Sequence, residues 1–182
     1  MKVKPNISRR HFLVTAAQAV TGLLICPPLT CWAREPKEFP LSFFHTHTEE
    51  CLEILHTPGQ CPSAVQQKIT SFLRDFRTGD ECPIDPKLLD ILCDIQSITG
   101  SSGTIEIISG YRSLQTNNLL GHKSSGVAKK SLHMKGQAVD IRITDLLTRQ
   151  LHKTATALRT GGVSYYAKSD FVHLDTGRFR TW

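Results

Sequence analysis

The stretch SLHMKGQAVD, residues 131–140, constrains the fold of this chain more than any other. It sets His133 and Asp140 seven positions apart around Gly136. On one straight helix that spacing separates the Cα atoms by about 10 Å along the axis. On one straight strand the gap is about 23 Å, and the odd spacing sends the side chains to opposite faces. The two groups share an ion only if the chain turns back between them, and glycine is the residue that permits a sharp turn. The stretch is therefore either a metal-binding turn or an ordinary loop leading into a strand at residues 139–143.

A catalytic zinc site takes three protein ligands and leaves one position open. His133 and Asp140 offer two, and the candidate third is His173 in SDFVHLD, where Phe171 and Val172 anchor a strand and His173 faces a cleft. A competing pair, His45 and His47, lies on one face of another strand. No third ligand is evident near that pair, and its surroundings read as a plain hairpin. His56, His122 and His152 have no nameable partners.

The hairpin consists of residues 41–47 and 51–55. Ser63 is placed to cap a helix whose apolar positions Val65, Ile69, Phe72, Leu73 and Phe76 follow helical spacing. Asp85-Pro86 opens a second helix with Leu88, Leu89, Leu92 and Ile95 on one face and Gly100 as its stop. Residues 104–108 form a strand that runs into the loop SGYRS, followed by a short helix near 116–120 and a loop rich in Gly, Ser and Lys. Leu147, Leu151, Ala155 and Leu158 mark a third main helix, ended by Gly161-Gly162. Residues 163–166 and 171–175 are the last two strands, expected to pair. Helices in the first half followed by a strand-rich second half predict an α+β domain, with a small antiparallel sheet carrying the site and helices from the N-terminal half packed on it.

The chain starts with Lys2, Lys4, Arg9 and Arg10 and no acid, then a weakly apolar run at 12–25, Pro27-Pro28, and Ala33 before a candidate cut. The run is too short to span a bilayer, so residues 1–33 are expected to be an export signal. SRRHFL, residues 8–13, resembles the twin-arginine type, whose machinery moves folded proteins. A chance arginine pair in a general secretory signal is the plain alternative. Residues 34–182 then form a single domain. Four of the six net positive charges belong to the expected leader, and no basic run interleaves with aromatics, so nothing argues for nucleic acid and none is expected as a partner. Cys51, Cys61, Cys82 and Cys93 remain, an even number that allows disulfides in an oxidising compartment. A buried free thiol at Cys93, in an apolar helical register, is equally consistent.

Four blocks carry a resemblance: Ser109-Gly110-Tyr111-Arg112-Ser113, Ser131-x-His133-x-x-Gly136-x-Ala138-x-Asp140, Gly162-Val163-x-Tyr165-Tyr166, and Phe171-Val172-His173-x-Asp175. In this order they resemble the zinc peptidases that trim bacterial peptidoglycan, the group of D-alanyl-D-alanine carboxypeptidases and murein endopeptidases. The likeness extends over nearly the whole chain, and is greatest to exported Gram-negative endopeptidases with a twin-arginine leader. It implies one Zn2+ on His133, Asp140 and His173, with Arg112 holding the developing oxyanion or a substrate carboxylate. Ser131 is a candidate for orienting a ligand. The catalytic base stays open between Asp175, on the His173 face of the last strand, and Asp170, three residues before that ligand, where many relatives carry an acid.

The implied function is hydrolysis of amide bonds in peptidoglycan cross-links, between diaminopimelate residues of neighbouring stem peptides, in the periplasm. Carboxypeptidase trimming of D-alanine ends needs the same zinc and is the first alternative. A non-catalytic peptidoglycan-binding module with a structural ion, or a redox protein loaded before export, are the others. The first would need a fourth ligand and the second a cofactor motif; neither is evident in the sequence.

Overall fold

A computed structural model of the chain describes residues 37–123 and 126–182. The expected export signal at 1–33, with its arginine pair and its cut after Ala33, lies outside the described residues. None of the helices among the described residues is long and apolar enough to cross a membrane.

Strands β1 (Phe39–His45) and β2 (Cys51–His56) form the expected antiparallel hairpin. Helices α1 (Ser63–Phe72) and α2 (Lys87–Thr99) follow, then β3 (Ile105–Ser109) and α3 (Leu114–Lys123). A single 3-10 turn at Leu132–Lys135 leads into β4 (Ala138–Ile143). The chain closes with α4 (Thr148–Leu158), β5 (Gly162–Tyr166), β6 (Phe171–Asp175) and a two-residue strand, β7 (Arg180–Thr181).

All seven strands join one sheet in the order β2-β1-β3-β4-β6-β5-β7. Pairing is antiparallel except between β1 and β3 and between β5 and β7. The α+β class holds, but the sheet is larger than the small one expected. It grows because the N-terminal hairpin adds to one side through β1, and the chain end adds to the other through β7.

Local sequence explains most element ends. At α2, Asp85 Oδ1 accepts the Lys87 backbone N–H at 3.1 Å, and Gly100 stops the helix at φ 70°. Ser63 does not cap α1; Pro62 precedes the first turn and no side chain caps it. That helix also stops at Phe72, short of Phe76. There the chain is drawn into a turn by Asp75, whose Oδ1 accepts the Arg77 N–H at 3.0 Å and whose carbonyl accepts the Gly79 N–H at 2.7 Å.

The sheet has two chemically different faces, set by strand alternation. Ile105 and Ile107 of β3, Val139, Ile141 and Ile143 of β4, and Val172 and Leu174 of β6 are buried together. With Leu88, Leu92 and Ile95 of α2 and Leu151 and Ala155 of α4 they form the core. The helical layer thus includes α4, from the second half of the chain, and not only the N-terminal helices. The residues between these apolar ones point the other way. Asp140 stands opposite His173 in the β4/β6 register, and Ser164 stands opposite His173 in the β5/β6 register. The polar face of three adjacent strands therefore assembles one site.

Candidate metal centre

Gly136 makes the turn that the spacing of His133 and Asp140 demands. Its φ is 64°, and a Cβ there would strike the Pro83 carbonyl oxygen. Before it, Ser131 Oγ accepts the His133 backbone N–H at 3.3 Å and starts the 3-10 turn. His133 so leaves the turn pointing at the first half of β4, where Asp140 meets it. His133, Asp140 and His173 form the one group of convergent His, Cys, Asp or Glu ligand atoms among the described residues, and all three residues are buried.

The orientation of each imidazole is fixed from behind. His133 Nδ1 lies 2.7 Å from the Gly110 carbonyl oxygen, which only accepts, so Nδ1 carries the proton and Nε2 turns a lone pair inward. His173 stands between two carboxylates, with Nε2 3.1 Å from Asp175 Oδ2 on the outer side and Nδ1 2.8 Å from Asp140 Oδ1 on the inner side. With a cation at the inner side, the ring keeps its proton on Nε2 toward Asp175 and turns Nδ1 to the ion. The inward atoms are then His133 Nε2, His173 Nδ1 and Asp140 Oδ1. They are separated by 3.2 Å, 2.8 Å and 3.2 Å. Three such atoms this close in a buried place are held together by a shared proton or by a cation among them. The donor set fits a small divalent ion that accepts imidazole ligands.

The electrostatics agree. Burial alone would raise the Asp140 pKa, but the two imidazoles outweigh it and hold the carboxyl far below the usual range. Burial lowers the pKa of His133. For His173 burial also works downward, but the hydrogen bonds to Asp140 and Asp175 prevail and raise its pKa. The cluster attracts positive charge, be it a proton or a metal.

Asp175 sits behind His173 and is fully engaged. Its Oδ1 accepts from the Gly162 N–H at 3.0 Å, the Gly177 N–H at 2.9 Å and Arg180 Nη1 at 3.0 Å. Its Oδ2 accepts from His173 and from Arg180 Nη2 at 2.6 Å. Burial opposes ionisation of this carboxyl, but these donors hold its pKa well below the ordinary value. Asp170 goes elsewhere. It occupies a left-handed turn at φ 50° and lines a separate depression with Glu106, Arg142 and Tyr165.

Arg112 reaches the cluster from the loop after β3, with Nη2 3.6 Å from Asp140 Oδ2. The loop is held by three anchors. The Tyr111 N–H donates to the Leu73 carbonyl at 2.8 Å, the Arg112 N–H donates to the His133 carbonyl at 3.2 Å, and Ser113 gives both its N–H and Oγ to Asp75 Oδ2. Gly110 is required where the loop passes Leu73, because a Cβ would come within 2.6 Å of the Leu73 carbonyl oxygen. The guanidinium is largely buried, and desolvation, countered by Asp140, lowers its pKa. Asp75 is a support that the sequence does not announce: its partner Ser113 lies 38 positions away.

The cluster opens into a cleft of about 400 Å³ lined by Arg112, Lys130, Ser131, Tyr166, Phe171 and Trp182, among others. The competing pair does not converge on an ion. His45 is buried with its Nδ1 accepting the His47 and Thr48 backbone N–H groups, and His47 stacks on Phe76 at 4.1 Å. Cys51, Cys61, Cys82 and Cys93 are free thiols, and burial pushes that of Cys93 up to about 12.

A family model described as peptidoglycan L,D-endopeptidase MepK matches residues 32–182. The chain is 37% identical over 182 residues to the peptidoglycan L,D-endopeptidase MepK of Escherichia coli strain K12, covering 98% of this chain and 99% of that protein. It is 41% identical over 165 residues to a protein of Haemophilus influenzae named probable peptidoglycan L,D-endopeptidase MepK, covering 88% of each. No solved structure matches the chain. With a family match over most of its length and relatives aligned from end to end, the chain belongs to the peptidase M15 family described as peptidoglycan L,D-endopeptidase MepK.

Proposed function

We propose that the chain is a zinc metallopeptidase that cleaves amide bonds in peptidoglycan cross-links, those between diaminopimelate residues of neighbouring stem peptides. One observation carries this reading: both buried imidazoles make outer hydrogen bonds, to the Gly110 carbonyl and to Asp175, while their inner nitrogens and Asp140 Oδ1 converge on one point. Zinc suits that donor set. Bonds of 2.0–2.1 Å to a tetrahedral ion put neighbouring donors about 3.4 Å apart. The two pairs that include His133 Nε2 are 3.2 Å apart, and the His173–Asp140 pair, at 2.8 Å, would open slightly around the ion.

His133, Asp140 and His173 would hold the ion. When bound, zinc supplies a Lewis acid that polarises a scissile carbonyl and acidifies water. The chain's own groups do the rest. The Gly110 carbonyl and Asp175 keep the two ligand imidazoles in the required tautomers. Arg112 presents a permanent positive charge at the cleft, placed to stabilise negative charge developing on the substrate carbonyl oxygen. Asp175, with both oxygens engaged, supports His173 rather than taking a proton from the substrate side. Asp170, in its separate depression, has no part in the reaction. Residues 34–182 act as the mature periplasmic enzyme, and residues 1–33 address it to the twin-arginine export machinery.

Purified sacculi incubated with the zinc-loaded protein should release cross-link cleavage products. A chelator should stop the release, and added zinc should restore it. His133→Ala, Asp140→Ala and His173→Ala should each lose both zinc and hydrolysis. Stoichiometric zinc retained in all three variants would overturn the ligand assignment, and sacculi left intact by loaded wild type would overturn the activity.

A further inference from the structure

The last strand returns a large aromatic side chain to the cluster. β7 pairs in parallel with β5, Gly162 opposite Arg180 and Val163 opposite Thr181. Trp182 thereby arrives beside Ser164, the residue that faces His173 across β5 and β6. Ser164 Oγ donates to the Trp182 carbonyl oxygen at 2.6 Å, and Trp182 Nε1 donates to the Tyr166 hydroxyl oxygen at 3.4 Å. The indole lies 5.4 Å from the His173 ring, centroid to centroid. Arg180, while it grips Asp175, covers the indole with its guanidinium 4.8 Å from the ring centre.

A side chain so restrained is ordinarily buried. Trp182 is instead 56% exposed, and it lines the cleft. Next to it Tyr166 and Phe171 stack at 4.6 Å and line the same cleft. Lone exposed aromatics are common on protein surfaces and carry no message. An exposed indole held beside the candidate ligands by contacts with His173, Tyr166 and Arg180 differs, because a side chain already in place has less ordering to undergo when a ligand binds. The cleft lining also holds the cations Arg112 and Lys130. An apolar wall beside cationic groups suits a ligand with a hydrocarbon stretch and carboxylates close together. The diamino-acid residue at a peptidoglycan cross-link has both.

We propose that Trp182 is a specificity-determining residue, whose indole is the wall for the hydrocarbon chain of the residue flanking the scissile amide. The assignment rests on the peptidase reading of the same cleft. It is tested with zinc-loaded wild type, Trp182→Ala and Trp182→Phe on purified dimeric muropeptides joined through diaminopimelate, with zinc affinity measured in parallel by chelator competition. Trp182→Ala should raise KM on the order of ten-fold, the size expected for uncovering two or so methylenes. Its kcat should stay within about three-fold, its zinc affinity should be unchanged, and Trp182→Phe should recover most of the loss. A fall in kcat at constant KM, or loss of zinc affinity at constant KM, would show Trp182 acting through His173 and overturn the proposal.

A binding measurement keeps the test independent of turnover and of the alanine variant's folding. Trp32 and Trp182 are the two tryptophans of the chain, so Trp32→Phe makes fluorescence a reporter of Trp182 alone. Titration of the zinc-loaded Trp32→Phe protein with the stem tripeptide ending in diaminopimelate should give a saturable change, abolished when alanine replaces the diamino acid. No change with either peptide, or the same change with both, would overturn the proposal. If wild type binds in this way yet leaves sacculi and dimers uncut, the peptidase reading fails, and with it the placement beside a scissile amide, while Trp182 remains a wall for the diamino acid's hydrocarbon chain.

Discussion

At the scale of single residues, the two carboxylates near His173 have opposite fates, and the difference is geometric. Asp175 shares the His173 face of β6, but its two oxygens take five hydrogen bonds, from His173, Arg180, Gly162 and Gly177. Asp170 stands outside the strand in a left-handed turn and lines another depression. Asp175→Asn keeps the shape but puts an amide where His173 Nε2–H or Arg180 needs an acceptor. Zinc affinity should fall by about 10- to 100-fold, as it does when an outer partner of a ligand histidine is removed. Asp170→Asn should bind zinc and turn over within about two-fold of wild type. Equilibrium dialysis against a zinc buffer, with turnover measured at saturating zinc, separates the two effects. Unchanged zinc affinity in Asp175→Asn with lost turnover would make Asp175 a proton acceptor after all.

At the scale of elements, the N-terminal hairpin carries a pH dependence of its own. Burial pulls the pKa of His45 below the ordinary 6.5, and the neighbouring charge of His47 adds to it, with Glu50 acting upward and Arg74 downward. The folded chain therefore prefers neutral His45, whose Nδ1 accepts the two N–H groups that close the turn. A depressed folded pKa contributes stability that is complete above the unfolded value and is lost as pH falls through the folded one. Asn in its place still accepts through its amide oxygen but does not titrate. Urea unfolding midpoints should fall less in His45→Asn than in wild type between pH 7 and about pH 5. Equal falls would remove His45 as a source of the acid sensitivity. Legibility in the sequence also divides at this scale. The hairpin, α2 with its Asp85 start and Gly100 stop, and the β5–β6 pair were readable, because each rests on short-range periodicity and local caps. Gly136 between His133 and Asp140 allows a turn that joins them but equally allows an ordinary loop, so the set with His173 is legible through the four-block resemblance rather than through spacing. What was not readable depends on contacts distant in sequence: Asp75 under the Arg112 loop, Gly110 behind His133, and the parallel pairing that seats β7. The end of α1 was misplaced for a related reason, since the turn around Asp75 overrides the helical spacing that reaches Phe76.

At the scale of the whole molecule, the site cannot exist before the fold does. Its three candidate ligands come from the turn at Leu132–Lys135, from β4 and from β6, and β7 at the end of the sequence completes the support of His173. An ion bound there is bound by a finished domain. Under the proposed reading of residues 1–33 as a twin-arginine signal, that order of events suits a route that exports folded proteins. Cys51, Cys61, Cys82 and Cys93 are free thiols among the described residues, and none of them takes part in the site. The leader carries the test. Arg9 and Arg10 present guanidinium groups, which are planar and donate in a fixed fork, whereas lysine offers a compact ammonium. A receptor built for the former should reject the latter, even though the charge is the same. Replacing both arginines by lysine should therefore leave the precursor in the cytoplasm, folded and loaded with zinc, while the periplasmic fraction loses the protein and its sacculus-cleaving activity. Cell fractionation followed by immunodetection reads the location, and protease resistance of the retained precursor reads its folding. Normal periplasmic levels of the double-lysine variant would mean that the general secretory route carries the chain unfolded. The ion would then have to be acquired after export.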